Sequence, residues 1–426
     1  MKIQRLLVRS ALSVLVVAAF CVAVAPSPKA AAVASFQPVR AIFNNPNGTE
    51  EQRYAIVSYI DRAIDAAPKG SVIHIALYSI YTQSTTDKLL AARKRGVIIK
   101  MVTDDHYSSP QVAELVKAFG TKVSTGSGSF VKVCHRSCSS DMGFSYMHAK
   151  LFMFSAAGSY KNLVMIGSSN LSEAQINLGW NNMYTLVNRS KIYDSLTKYF
   201  TALTRDANDK DTAYRETVDG NVKTYAFPRW EGKRIDRNSD TYYGILGHIT
   251  CSGAASGYGK DGKTVVSVAS YQWSWYRLYL AQRLWNLDNA GCDVRVVYSA
   301  QNTDAKVMAA LKKTGGKYGG IKMHNADQDG PELDDKYSHN KYVLVSGVYG
   351  GNRSSKLVFT GSANFTQTAL RYNNEVIVKL RANAAYDLYR DNFLTIYSFK
   401  STTTVAPPKS TTIAPPNSVE GRPEVD

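Results

Sequence analysis

The chain has 426 residues, 44% of them hydrophobic, and carries 51 Lys and Arg against 34 Asp and Glu. That length suffices for two domain-sized cores. The formal charge of +17 favours anionic partners, whether nucleic acid, anionic lipid or a phosphorylated substrate, over cationic ones, without choosing among them. A basic exported protein with no such partner is the bland alternative.

Taken in chain order, the first element is a leader. Lys2, Arg5 and Arg9 precede an apolar stretch from Leu6 to Ala25. Ala32-Val33-Ala34 then offers a small-x-small cleavage site before Ser35, the pattern of a secretory signal peptide. An earlier site at Ala23-Val24-Ala25 is disfavoured by Pro26, and a retained membrane anchor is the competing reading. Residues 1–34 are therefore expected to be removed and the protein secreted. The loss of Lys2, Arg5, Arg9 and Lys29 leaves 47 basic against 34 acidic residues, a charge of +13. Four cysteines then remain, and an even count in an exported protein suggests disulfides. Of three pairings, Cys134–Cys138 with Cys251–Cys292 is the expected one. Cys134-His135-x-x-Cys138 lacks the second ligand pair that a zinc site would need.

Next comes an internal repeat. SVIHIALYS (71–79) and TVVSVASYQW (264–273) both read as buried strands. Each leads through a helical pattern to a turn at Gly96 or Gly291, and then to a second strand, VIIKMVTDD from Val97 or CDVRVVYSA from Cys292. Strand–helix–strand crossovers imply parallel pairing. Further on, MHAKLFMF (147–154) matches SHNKYVLV (338–345). LVMIGSSN (163–170) likewise matches LVFTGSAN (357–364). Asn-Asn pairs follow at Asn181-Asn182 and Asn373-Asn374. The expected organisation is half 1 over 35–206, a surface connection at 207–221, half 2 over 222–400, and a disordered Thr/Pro-rich tail at 401–426.

The repeated polar residues sit at the strand ends. His148 and Lys150, like His339 and Lys341, are two apart on a strand, so each pair shares a face. The neighbouring strands add Ser168 with Asn170, and Ser362 with Asn364. Gly167 and Gly361 would let a ligand approach the backbone closely. Two facing sets of imidazole, ammonium, carboxamide and hydroxyl suit a phosphodiester, whose charge the cations and amides offset.

His-x-Lys followed by Gly-Ser-x-Asn, twice in one chain, resembles the signature of the phospholipase D superfamily, and the likeness spans nearly the whole chain after the leader. It implies an α/β fold, a duplicated α-β-α sandwich whose pseudo-twofold-related halves have mixed β-sheets and share one active site. It also implies a phosphohistidine mechanism: one histidine attacks phosphorus, the other protonates the leaving alkoxide and then activates water or an acceptor alcohol. Lys150, Lys341, Asn170 and Asn364 would bind phosphoryl oxygens, with Ser168 and Ser362 in support. No metal or other cofactor is implied, and the protein is read as a monomer.

The sequence departs from the family pattern in two ways. The Asp five residues after each motif Lys is replaced by Ser155 and Ser346, and the longer spacers imply extended hairpins at Ser155–Lys161 and Ser346–Lys356. After the Asn-Asn pair, the second half has Glu375 where the first has Met183. By resemblance Glu375 fixes the tautomer of His148 and leaves His339 without a matching partner, so His148 is the expected nucleophile and His339 the acid. His74, His248 and His324 read as non-catalytic, as do the loop residues His106 and His135, although His106 could line the entrance. In YQWSWYRLYL (271–280), Trp275 and Leu278 are expected to face the core, and Trp273 is left open. Three readings of function follow: a phospholipase D cleaving or transferring phospholipid head groups at an anionic membrane surface, a nuclease acting on DNA or RNA, and an inactive phosphate-binding module.

Overall fold

Each repeat builds one sheet in the computed structural model, which describes residues 36–106, 109–208, 214–229, 237–314, 319–327 and 336–399. The leader and the Thr/Pro-rich tail lie outside the described residues. The seven-stranded sheet of the first half has the order Ala41–Phe43, Asn182–Leu186, Tyr160–Gly167, Lys150–Ala157, Val72–Leu77, Ile98–Asp104, Phe130–Cys134. Its last three strands are parallel to one another and the remaining pairs are antiparallel. The nine-stranded sheet repeats this plan through Val376–Arg381, Asn352–Gly361, Lys341–Tyr349, Val265–Ser270, Asp293–Tyr298 and Lys322–Asn325.

Both sheets are buried on both faces, as their near-continuous apolar strands require. Alternate residues go to opposite sides: Ile73, Ile75 and Leu77 pack outward against helices Ala55–Asp65 and Gln83–Lys94, while Ala76 joins the central core. In the second half Val266 and Val268 face helix Leu278–Asn289, and Ala269 faces the centre. The central cluster unites side chains of both sheets with helices Ser190–Leu203 and Asn383–Ser398. The duplicated α/β layering expected from the repeats is thus present, with a helical layer shared between the sheets. Local signals agree with it: Ser109 caps helix Pro110–Phe119, with Pro in its first turn. Both expected disulfides, Cys134–Cys138 and Cys251–Cys292, are formed.

Two expectations are corrected here. The presumed surface connection contains the strand Arg215–Asp219, which pairs with Val222–Ala226 and extends the second sheet. Its polar, alternating pattern is that of an exposed edge strand, which is why it reads as a loop. Of the two tryptophans in the aromatic run, Trp273 is the buried one, packed on Phe365 at 4.5 Å between ring centroids. Trp275 is half-buried and stacks on Tyr276 at 4.1 Å. The turn Trp275–Arg277 is a 3-10 helix, so an α-helical wheel assigns the wrong face.

Candidate active site

The two His-x-Lys motifs stand where the halves meet. His148 donates its main-chain N–H to the Asn374 carbonyl at 3.1 Å, and His339 donates to the Trp180 carbonyl at 3.0 Å. Each histidine is therefore seated on a segment of the opposite half. The rings cross over in the same way. His148 Nδ1 lies 2.7 Å from Glu375 Oε1, and because a carboxylate only accepts, Nδ1 carries the proton. His339 Nδ1 lies 2.9 Å from Asn181 Oδ1. The Asn181 amide nitrogen donates to Gln175 and to the Gly179 carbonyl, so its oxygen faces His339, and again Nδ1 donates. In both rings Nε2 is the nitrogen presented for chemistry.

Asn181 is the candidate site residue that motif matching missed. The strand registers pair Gly167 with Met183 and Gly361 with Ile377, so Asn181 is the counterpart of Glu375. The two Asn-Asn pairs, although alike in sequence, are not equivalent positions. The expectation that Met183 opposes Glu375 and that His339 has no matching partner is corrected. Counting from the motif glycines reveals the match, because Asn181 and Glu375 each stand fourteen residues after Gly167 or Gly361.

Other motif residues take unequal roles. Lys150 Nζ donates to the His148 carbonyl at 2.9 Å. Lys150, Lys341, Asn170 and Asn364 are all buried at the strand ends. The Asn364 carbonyl is held by Arg277 at 3.0 Å, and Arg277 is itself in a buried ion pair with Asp240 at 2.7 Å. Burial alone would raise the Asp240 carboxyl, but the Arg277 guanidinium outweighs it and holds that carboxyl below the usual range.

The motif serines also make contacts within the protein. Ser168 gives its proton to Asn181 Oδ1 at 2.9 Å and accepts from the Asn182 N–H, so it orients the partner of His339. Ser362 accepts from the Val376 N–H at 3.1 Å. The glycines serve the neighbouring strand too: a Cβ on Gly167 would come within 2.4 Å of the Asn182 carbonyl oxygen. Ser155 and Ser346, which replace the motif Asp, accept from the backbone N–H groups of Val72 and Gly259. The longer spacers close as hairpins, with turns beside Gly158 and Gly350.

His106 lines a pocket of about 270 Å³ with Asp104, Asp105, His135, Arg136 and Tyr146. Burial pushes the Asp104 carboxyl up to about 7, although the N–H groups of His106 and Met147 donate to it. His74 lies in the core, where burial, aided by Lys100, pushes its imidazole down to about 4. Among the described residues no group of three or more His, Cys, Asp or Glu side chains is placed to hold a metal ion. No helix among them is long and apolar enough to cross a membrane.

Comparison with known proteins identifies the family. The family model for the cardiolipin synthase, PLD-like domain matches the chain twice, over residues 60–204 and 261–397. No curated protein matches it. Among solved structures, phosphatidylserine synthase from Haemophilus influenzae Rd KW20 has a TM-score of 0.54 at 10% identity, covering 84% of this chain and 86% of that one. Polyphosphate kinase from Porphyromonas gingivalis also scores 0.54, at 12% identity over 83% of this chain, and the chain spans 46% of that kinase. Nuc from Salmonella typhimurium, a phospholipase D family member, is 22% identical over 40% of this chain, with a TM-score of 0.30. With the PLD-like model matching more than half of its length, once in each half, the chain belongs to the phospholipase D superfamily, whose chemistry is that of phosphodiesters.

Proposed function

We propose that this is a secreted phospholipase D-type phosphodiesterase that hydrolyses phospholipid head groups, or transfers them to an alcohol, through a phosphohistidine. The observation that carries the reading is the crossed and unequal pairing of the histidines, His148 with a carboxylate and His339 with an amide. His148 Nε2 attacks phosphorus and the bond to the leaving oxygen breaks, while His339 passes its proton to that oxygen. The phosphorylated ring keeps its Nδ1 proton and is cationic, so the Glu375 carboxylate offsets its charge. His339 then takes a proton from water or an acceptor alcohol, whose oxygen attacks phosphorus and releases His148. A neutral amide orients His339 without holding its proton, which suits a group that must give one up and take one back. Lys150, Lys341, Asn170 and Asn364 would offset charge on the phosphoryl oxygens.

For the substrate, the cardiolipin synthase-type family model supports a lipid. The half-buried Trp275–Tyr276 stack adds apolar surface just beyond the segment paired with Phe365, next to Asn364. The charge of the chain keeps a nuclease as the second reading. The test is head-group release from vesicles of mixed zwitterionic and anionic phospholipids, beside plasmid DNA and RNA, with EDTA present and His148→Ala as control. Lipid cleavage that is lost in the variant supports the proposal. Cleavage of nucleic acid with intact lipid would replace it with the nuclease reading.

A further inference from the structure

Each half carries, beside its histidine and lysine, a tyrosine that the motif does not include. Tyr78 directly follows Leu77, which pairs with Lys150, and Tyr271 directly follows Ser270, which pairs with Lys341. The two tyrosines are thus pseudo-twofold equivalents, and both are buried.

Their surroundings repeat as closely as their positions. Lys150 Nζ lies 5.3 Å from the Tyr78 ring centroid, and Lys341 Nζ lies 5.1 Å from that of Tyr271. The His148 ring meets Tyr78 at 5.4 Å and 61°, and the His339 ring meets Tyr271 at 4.8 Å and 64°. A second tyrosine, two residues before each histidine, backs the first: Tyr146 lies 5.8 Å from Tyr78, and Tyr337 lies 5.2 Å from Tyr271. Two halves that have diverged elsewhere, even in the residue that holds the histidine, keep this arrangement.

We propose that Tyr78 and Tyr271 are a duplicated pair of positioning residues, each clamping the histidine and lysine of its own half through its ring. Two physical effects converge on the ring. Its face attracts the ammonium, which favours the charged lysine in a site removed from water. Its edge-to-face contact with the imidazole limits rotation, so that Nε2 stays aimed at the phosphorus. This rests on the phosphodiesterase reading only for its kinetic consequence, because the clamp itself is a ground-state arrangement.

With p-nitrophenolate as the leaving group, which departs without needing a proton, the acid role of His339 is bypassed and the two rings serve different steps. Loss of the Tyr78 ring then slows attack by His148, and loss of the Tyr271 ring slows water activation by His339. The test uses the full chain, with bis(p-nitrophenyl) phosphate as the probe and an alkaline quench, which preserves the P–N bond of a phosphohistidine, to trap the phosphoenzyme. Tyr78→Leu should lower kcat/KM about 10- to 30-fold, the size of a desolvated cation–π contact, with little phosphoenzyme formed. Tyr271→Leu should lower kcat by a similar factor while phosphoenzyme accumulates. Tyr78→Phe and Tyr271→Phe keep the ring and should keep both rates, which also controls for folding. Phe variants as impaired as the Leu variants would show that the hydroxyl acts and overturn the proposal; unimpaired Leu variants would overturn it as well. The ring-current shift of the Lys150 side chain in NMR needs no substrate: it should be lost in Tyr78→Leu and kept in Tyr78→Phe. If the wild type left the probe intact, the phosphodiesterase reading would fail, and that shift would still decide the clamp.

Discussion

Replacing Glu375 by Gln tests the asymmetry of the site most directly. The carboxylate is fully buried, and its 2.7 Å contact with a ring that is 3% exposed is a charge-assisted hydrogen bond shielded from solvent. Gln keeps the shape and an acceptor oxygen for Nδ1 but removes the charge that balances a cationic His148. A hydrogen bond to a charged group contributes about 1.5–3 kcal/mol, and each 1.36 kcal/mol is tenfold in rate. Phosphoenzyme formation should therefore slow by about 10- to 150-fold. Rapid-quench kinetics with bis(p-nitrophenyl) phosphate would measure it. A variant with the wild-type rate of phosphoenzyme formation would refute the role given to Glu375, and with it the assignment of His148 as nucleophile.

Three further outcomes follow from the fold. His74 is held neutral, its imidazole pushed down to about 4, so the stability it preserves is full above the unfolded value near 6.5 and is lost as pH falls through 4. His74→Phe should narrow the difference in unfolding free energy between pH 7 and pH 4 by up to about 3 kcal/mol, measured by urea denaturation. Arg277→Met leaves the buried Asp240 without its cationic partner and releases the Asn364 carbonyl; it should cost about 3–5 kcal/mol, and adding Asp240→Asn should recover part of that loss. Replacing Cys251 and Cys292 by Ser opens a crosslink with a sequence separation of 41, which should cost about 4 kcal/mol on the chain-entropy account, again read by denaturant unfolding.

Much of this protein is legible in its sequence because much of it is local. Apolar runs of strand length, helices closed at Gly96 and Gly291, and two copies of His-x-Lys with Gly-Ser-x-Asn define the duplicated α/β plan and its chemical groups before any coordinates are seen. Period-two alternation is a property of one strand, and the repeat is a property of the chain. What they cannot carry is which atoms meet across the halves. The equivalence of Asn181 and Glu375 follows from strand register against Gly167 and Gly361, and the neighbouring Asn-Asn pairs mask it. The proton of Ser168 goes to Asn181 because tertiary packing brings that amide within reach, and Trp273 is buried in place of Trp275 because the turn is 3-10. Tyr78 and Tyr271 look like ordinary ends of buried strands until folding sets a lysine over each ring. The amino-acid sequence by itself determined the parts and their duplication. Only the tertiary structure decided their pairing, because hydrogen bonds and ring contacts depend on ångström distances between residues more than 150 positions apart, as in His148–Glu375 and His339–Asn181.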